Sequence, residues 1–206
     1  MIRVLGRANS INVQKVMWCA AELGIDVKRV DMGLQFGGNN TPEYLAKNPN
    51  GLVPTLEDGD TYVWESNTIV RYLADKYGTA GFALASPEAR AWNGQWMDWF
   101  LTVMAPTIGP IFRTLVRTPE AERDMKAVAA HAVALGKSFA ILDDVLATRD
   151  FIGGDQPSTG DIPVGCAVYR WYNMAIERPA LANVAAWYDR LQARPAYQSH
   201  VMMPLT

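Results

Sequence analysis

Ser10-Ile11-Asn12 stands just ahead of a segment with helical periodicity. Small polar side chains at a helix start meet unpaired N–H groups and the positive end of the helix dipole, a setting that favours an anion. A second polar group lies further along, in Val53-Pro54-Thr55 and Glu65-Ser66. A proline opening an apolar strand lacks an amide donor and so fits a strand start or edge. With a cis Val53-Pro54 bond, the Val53 amide and carbonyl would face outward, free to pair with an extended peptide. Glu65-Ser66 sits where a hairpin passes into a helix, so free helical amides and the Ser66 hydroxyl suit a carboxylate. Glu65 suits an ammonium. Together these residues predict a cradle for a small zwitterionic peptide.

Periodicity outlines the scaffold that must hold them. Ile2 to Leu5 reads as a buried strand, and Val13, Val16, Met17, Ala20 and Leu23 as one face of a helix stopped by Gly24. Val27 to Met32 reads as a second strand, Gly33 to Pro42 as a loop, and Tyr44-Leu45 as a short helical piece. Val53–Leu56 and Thr61–Trp64 flank an Asp-Gly tip and predict a hairpin; Ile69, Leu73 and Tyr77 mark the helix after it. This is a small α/β unit with a mixed sheet. From Pro87 onward the pattern is helical throughout. Trp92, Trp96, Trp99 and Val103 lie along one face, Ala121, Met125, Val128, Ala132, Leu135, Phe139, Leu142 and Leu146 along another, and Leu181, Val184, Tyr188 and Leu191 along a third. The expected domains are residues 1–78 and 87–206, joined by a linker over 79–86.

Composition narrows the function. Of 206 residues, 50% are hydrophobic and 19% charged, which excludes a disordered chain. Nineteen basic residues against 21 acidic ones, a net charge of −2, argue against a nucleic-acid partner. Two cysteines, Cys19 and Cys166, are too few for a disulfide framework and read as small buried hydrophobes. Contiguous apolar runs fall short of the ~18 residues of a membrane span, and the N-terminus lacks a signal-peptide core. His131 and His200 lack metal-ligand spacing, Ser10 lacks a Gly-x-Ser-x-Gly elbow, and the Gly33–Asn40 loop lacks the Lys-Ser/Thr of a phosphate loop. The tryptophan stripe and the 121–146 stripe read as core. Taken singly, Ser10, Asn12 and Glu65-Ser66 read as ordinary helix caps.

Taken together, Ser10-Ile11-Asn12, the run from Asn48 through Val53-Pro54 to Leu56, and Trp64-Glu65-Ser66-Asn67-Thr68-Ile69 resemble the cytosolic glutathione transferase family. The likeness is to its bacterial serine- and asparagine-type members, theta- or nu-like. Ser158-Thr159-Gly160-Asp161-Ile162 is similar to the family's capping box, with Asp161 in the place of the usual Glu. The resemblance covers essentially the whole chain. It implies an α/β thioredoxin-like N-terminal domain with a mixed sheet plus an all-α C-terminal domain. It also implies glutathione as co-substrate, no metal, a cytoplasmic detoxifying enzyme and a homodimer, with neither nucleic acid nor membrane as partner.

By the same resemblance, Val53 and Pro54 would face the cysteinyl part of glutathione, and Glu65 and Ser66 its γ-glutamyl end. Gln35, Asn39 and Asn40 would lie beside the glycyl carboxylate. Ser10 aligns with the activating hydroxyl of serine-type members and Asn12 with the activating amide of asparagine-type members; the sequence leaves both open. Either would donate a hydrogen bond to the sulfur and favour the thiolate. Lowering a thiol pKa from ~8.5 to ~6.5 takes about 2.7 kcal/mol, within reach of one such bond plus the dipole. A small hydrophobic electrophile would lie against Met104, Ile108, Phe112 and Arg113, near a helix bent or broken at Pro106 and Pro110. Arg113 and Arg117 suit an anionic substrate or plain solvation. The expected reaction is conjugation of the glutathione thiolate. The alternatives are a glutathione-dependent disulfide reductase or peroxidase, and a non-catalytic ligand- or protein-binding scaffold.

Overall fold

The computed structural model describes residues 1–206. Strands β1 (Ile2–Leu5), β2 (Val27–Val30), β3 (Thr55–Asp58) and β4 (Thr61–Trp64) form one mixed sheet in the order β2-β1-β3-β4. β1 and β2 are parallel, with Ile2 opposite Val27, and helix α1 (Ile11–Glu22) makes the crossover. β3 runs antiparallel to β1, with Val4 opposite Leu56, and β4 closes the hairpin with Trp64 opposite Thr55. Helix α2 (Pro42–Leu45) is a single turn capped by Thr41, and α3 (Ser66–Tyr77) follows the hairpin. Two strands differ from the apolar runs: β2 is shorter, stopping at Val30, and β3 is shifted, running from Thr55 to Asp58. The second difference has a plain cause. Pro54 has no N–H, and the Val53 N–H and C=O make no backbone bond, so the ladder starts only at Thr55.

The C-terminal domain is helical: α4 (Pro87–Trp99), α5 (Ala105–Phe112), α6 (Met125–Leu146), α7 (Asp161–Asn173), α8 (Ala182–Gln192) and α9 (Pro195–His200). The chain stays helical from Pro87 to Arg117, with wide π turns at Phe100–Met104 and Arg113–Arg117. Of the expected break or bend at Pro106 and Pro110, the break is therefore corrected. Pro106 directly follows the π turn at Phe100–Met104, an irregularity of the kind that accompanies a proline inside a helix. α6 starts at Met125, capped by Asp124, so Ala121 lies ahead of it. The membrane reading from contiguous runs also needs correction. Pro87–Arg117 and Met125–Leu146 are long and apolar enough on average to cross a bilayer, yet each turns an apolar stripe into the protein core. Of the tryptophan stripe, Trp96 is buried, Trp92 and Trp99 are half-buried, and Val103 is exposed.

One apolar core runs through both domains, and α1 is the element they share. Periodicity identified only the face of α1 that carries Val13, Val16 and Ala20. Gln14, Lys15, Trp18 and Cys19 are buried as well, because α1 packs on α3 and on α7 and α9. Such a helix reads as amphipathic but is covered all round. Trp18 seats directly on α7: a Cβ at Gly165 would stand 2.7 Å from its ring, so only glycine lets the two helices approach this closely. Tyr197 crosses Trp18 edge-on at 4.8 Å, and Arg194 of α9 pairs with Glu22 at the end of α1. Asn67 of α3 donates to the Met97 carbonyl of α4 at 2.7 Å. Both cysteines are buried, and burial pushes the Cys166 thiol up to about 12 and Cys19 higher still.

Candidate functional site

The ends of the strands and the starts of α1 and α3 meet around a pocket of about 290 Å³. Ser10, Asn12, Asn39, Val53, Pro54, Glu65 and Ser66 line it together, with Arg7, Gly33, Leu34, Asn48, Asn50 and Leu52. Seven residues chosen from separate stretches of sequence thus share one wall system. Gln35 and Asn40 do not join them. Both side chains are exposed outside the pocket, and of the single 3₁₀ turn over Leu34–Phe36 only Leu34, itself exposed, borders it. Asn39 donates to the Gly51 carbonyl and ties that loop to the turn ahead of Val53.

Ser10 occupies the N-cap position of α1 in extended backbone, yet its side chain makes no capping bond. The plain capping reading therefore fails at this residue, and its buried hydroxyl remains uncommitted. Asn12 is different. Its Oδ1 accepts from Lys15 Nζ at 3.0 Å and from Ser66 Oγ at 3.3 Å, which leaves Nδ2 as the donor facing the pocket. Lys15 is fully buried, with its ammonium 4.1 Å from the centre of the Phe100 ring. Burial lowers its pKa to about 7, with Arg170 pushing the same way and Cys166 and Glu65 opposing. Sequence reasoning passed over this lysine. Its signal was a lone cation one turn after Asn12, between apolar positions of α1.

The Val53 wall is held from behind. Asn48 Nδ2 donates to the Leu52 carbonyl at 2.8 Å and to Thr55 Oγ1 at 3.1 Å; Thr55 in turn donates to the Tyr44 hydroxyl at 2.8 Å. Tyr44 closes the loop by donating to the same Leu52 carbonyl. The Val53-Pro54 bond is cis, and Val53 keeps its N–H and C=O free. Opposite, Glu65 precedes α3 with φ +67°, an unusual conformation for a residue with a side chain, of the sort that collects at binding sites. The Ser66, Asn67 and Thr68 amides behind it donate no bond to the chain's carbonyls. The pocket therefore pairs an extended edge for a peptide backbone with an anion-binding helix end and a carboxylate.

The four residues expected against the electrophile do not line this pocket. Met104, Ile108 and Phe112 are buried in the core beneath α5 and do not line the pocket, and Arg113 is exposed to solvent. The spacing that suggested a cleft wall is the spacing of a core stripe. Arg7 lines the pocket, and Arg170 is buried in α7 against Phe112; neither was singled out from sequence, although Arg170 interrupts the apolar run of α7. A larger apolar cleft of about 470 Å³ lies between α6 and Ala175–Pro179. It holds no hydroxyl or amide side chain able to stabilise a thiolate.

Comparison with known proteins agrees with this arrangement. The family model for the glutathione S-transferase N-terminal domain matches residues 2–75, and that for the C-terminal domain matches residues 125–190. Glutathione S-transferase GstB of Escherichia coli is 39% identical over the full length of both chains. Glutathione S-transferase 3 of maize (Zea mays) is 30% identical, covering 97% of this chain and 93% of that one. The solved theta-class glutathione S-transferase of Xanthomonas axonopodis pv. citri, with glutathione bound, superposes with a TM-score of 0.94 at 47% identity, over 100% of this chain and 99% of that one. Sequence, fold and pocket thus converge, and the chain is an enzyme of the glutathione S-transferase family.

Proposed function

We propose that this enzyme conjugates the glutathione thiolate to small electrophiles. The observation that carries this reading is the pairing of two uncommitted donors, Ser10 Oγ and Asn12 Nδ2, with the free Val53 edge in a pocket lined by no cysteine. Glutathione fits the donors present: Val53 pairs with its cysteinyl backbone, Ser66 and the α3 amides take the γ-glutamyl carboxylate, and Glu65 meets its ammonium. That placement brings the sulfur to the start of α1, where the dipole and a hydrogen bond from Ser10 or Asn12 favour the thiolate. Holding thiolate and electrophile together in a partly dry cleft supplies the rest of the catalysis. Residues 1–78 bind glutathione in this reading and residues 87–206 shape the electrophile side. The working form is a cytoplasmic homodimer, with a mass near twice the 22.8 kDa of the chain.

The test sets a chloronitroaromatic electrophile beside hydroxyethyl disulfide, each with reduced glutathione. Conjugation of the first well above the second supports the proposal. Faster turnover of the disulfide replaces it with reduction by two glutathione molecules. Glutathione binding without turnover of either makes the protein a scaffold.

A further inference from the structure

We propose that Arg170, flanked by Arg7 and Arg117, forms a receptor for a carboxylate carried by the electrophile, next to the glutathione pocket. Arg170 is only 6% exposed, and its guanidinium lies 3.8 Å from the centre of the Phe112 ring. Arg117 lies over the same ring at 4.9 Å, so Phe112 is a platform for both. Arg170 and Arg7 make no side-chain hydrogen bond within the protein, and the Nε of each is buried without a partner. Arg117 donates only to the Thr206 carbonyl oxygen, at 3.2 Å. None of the three is paired with a carboxylate, whereas Arg3, Arg29, Arg71, Arg190 and Arg194 all are.

Unpaired buried charge is costly, and buried arginine is ordinarily matched by an acceptor. Here burial and the neighbouring charges of Arg117 and Arg7 lower the pKa of Arg170 to about 10, while the Cys166 thiol opposes them; the group stays charged at neutral pH. Lys15 adds a further cation from α1, close enough for Arg170 to lower its pKa. Glu65 is the one carboxylate whose charge opposes that effect, and it lies across the pocket at the start of α3. A planar fork with open donors, stacked on an aromatic ring, matches a planar carboxylate. Arg7 links the receptor to the reaction, because it lines the same pocket as Ser10 and Asn12.

The inference rests on the conjugation reading for its chemistry: the sulfur forms a bond to the ring carbon that loses chloride, and chloride leaves with the bonding pair. The experiment compares a chloronitrobenzoate with its neutral benzamide as substrates. In parallel, calorimetry compares S-(carboxybenzyl)glutathione with S-benzylglutathione as ligands. The wild-type protein should prefer the anionic member of each pair, and Arg170→Met should collapse that preference by roughly 10- to 100-fold. Arg170→Lys should retain part of it. Arg7→Met, at a half-buried loop position, should reduce it in a protein that folds even if Arg170→Met does not. Equal binding of the two glutathione derivatives by the wild type, or an equal loss for both in Arg170→Met and Arg7→Met, overturns the receptor. Arg170-dependent binding without turnover of either substrate would sink conjugation alone.

Discussion

Lys15 Nζ lies 3.0 Å from Asn12 Oδ1, and this contact decides which way the Asn12 amide faces. With Ser66 Oγ donating to the same oxygen, the amide nitrogen is turned toward the pocket. Lys15 therefore acts through Asn12, as a positioning residue. Lys15→Met should raise the pKa of bound glutathione by about 1 unit, or ~1.4 kcal/mol, followed by thiolate absorbance against pH. A merely structural role for Lys15 would leave that titration where it is. Ser10→Ala and Asn12→Ala, titrated alongside, should each raise the thiol pKa by about 1–2 units where that side chain is the donor.

The same lysine predicts how stability depends on pH. Its pKa is about 7 when folded and 10.5 in its ordinary state, because burial disfavours the charge. Between those values the unfolded chain holds a proton that the folded chain lacks, so stability rises with pH from about 7 toward 10. Below about 7 both states are protonated and the burial cost is borne in full. Urea denaturation at two pH values in this window should show the rise in the wild type. Lys15→Met should be more stable near neutral pH and should show a flatter profile, since an apolar side chain replaces a buried charge without a counter-ion. A wild-type profile that falls over this window contradicts the assignment.

Binding should depend on the start of α3. Glu65→Ala removes an exposed carboxylate aimed at the charged γ-glutamyl end, and Ser66→Ala a buried hydroxyl that turns from Asn12 Oδ1 to that end when glutathione binds, Lys15 keeping hold of Asn12. A lost hydrogen bond to a charged group costs ~1.5–3 kcal/mol, so glutathione affinity should fall roughly 10- to 150-fold in each variant. Calorimetry giving unchanged affinity in both would remove the γ-glutamyl end from this position.

The residues that line the pocket were legible because local signals mark them: a polar helix start at Ser10, a proline at a strand start, a hairpin-to-helix junction at Glu65. The strand order was legible only as a mixed sheet, since β1 pairing with β3 joins residues far apart in the chain. Lys15 and Arg170 escaped for one physical reason. Each sits in a helix buried on more than one face, where a charge looks like a break in an apolar pattern until the second domain is in place. Met104, Ile108 and Phe112 turned out buried for the opposite reason: an apolar stripe does not say whether solvent or core lies against it.

Asp161 offers the sharpest test of what holds the helical domain. Its spacing from Ser158 suggests a capping box, and Asp161 does accept the Ser158 N–H at 2.9 Å. The reciprocal bond is absent, because α7 begins at Asp161 itself and the Ser158 hydroxyl donates to the Asp161 carboxylate instead. Oδ1 also takes the Ile152 N–H and the Trp187 indole N–H, each at 2.9 Å. This buried carboxylate therefore joins α7, α8 and the Ile152 segment, and its four donors counter the rise in pKa that burial causes. Asp161→Ala leaves three buried N–H groups unmatched, while the Ser158 hydroxyl keeps Asn93 Oδ1 as its acceptor, and should cost ~3–5 kcal/mol in urea denaturation. Asp161→Asn keeps the shape but points amide hydrogens at existing donors, and should cost ~1–3 kcal/mol. The folded fraction of either variant should bind glutathione normally, since Asp161 is not among the pocket residues. A loss below about 0.5 kcal/mol in Asp161→Ala would show that water or rearranged neighbours satisfy those donors, and that the carboxylate is not the tie between these elements.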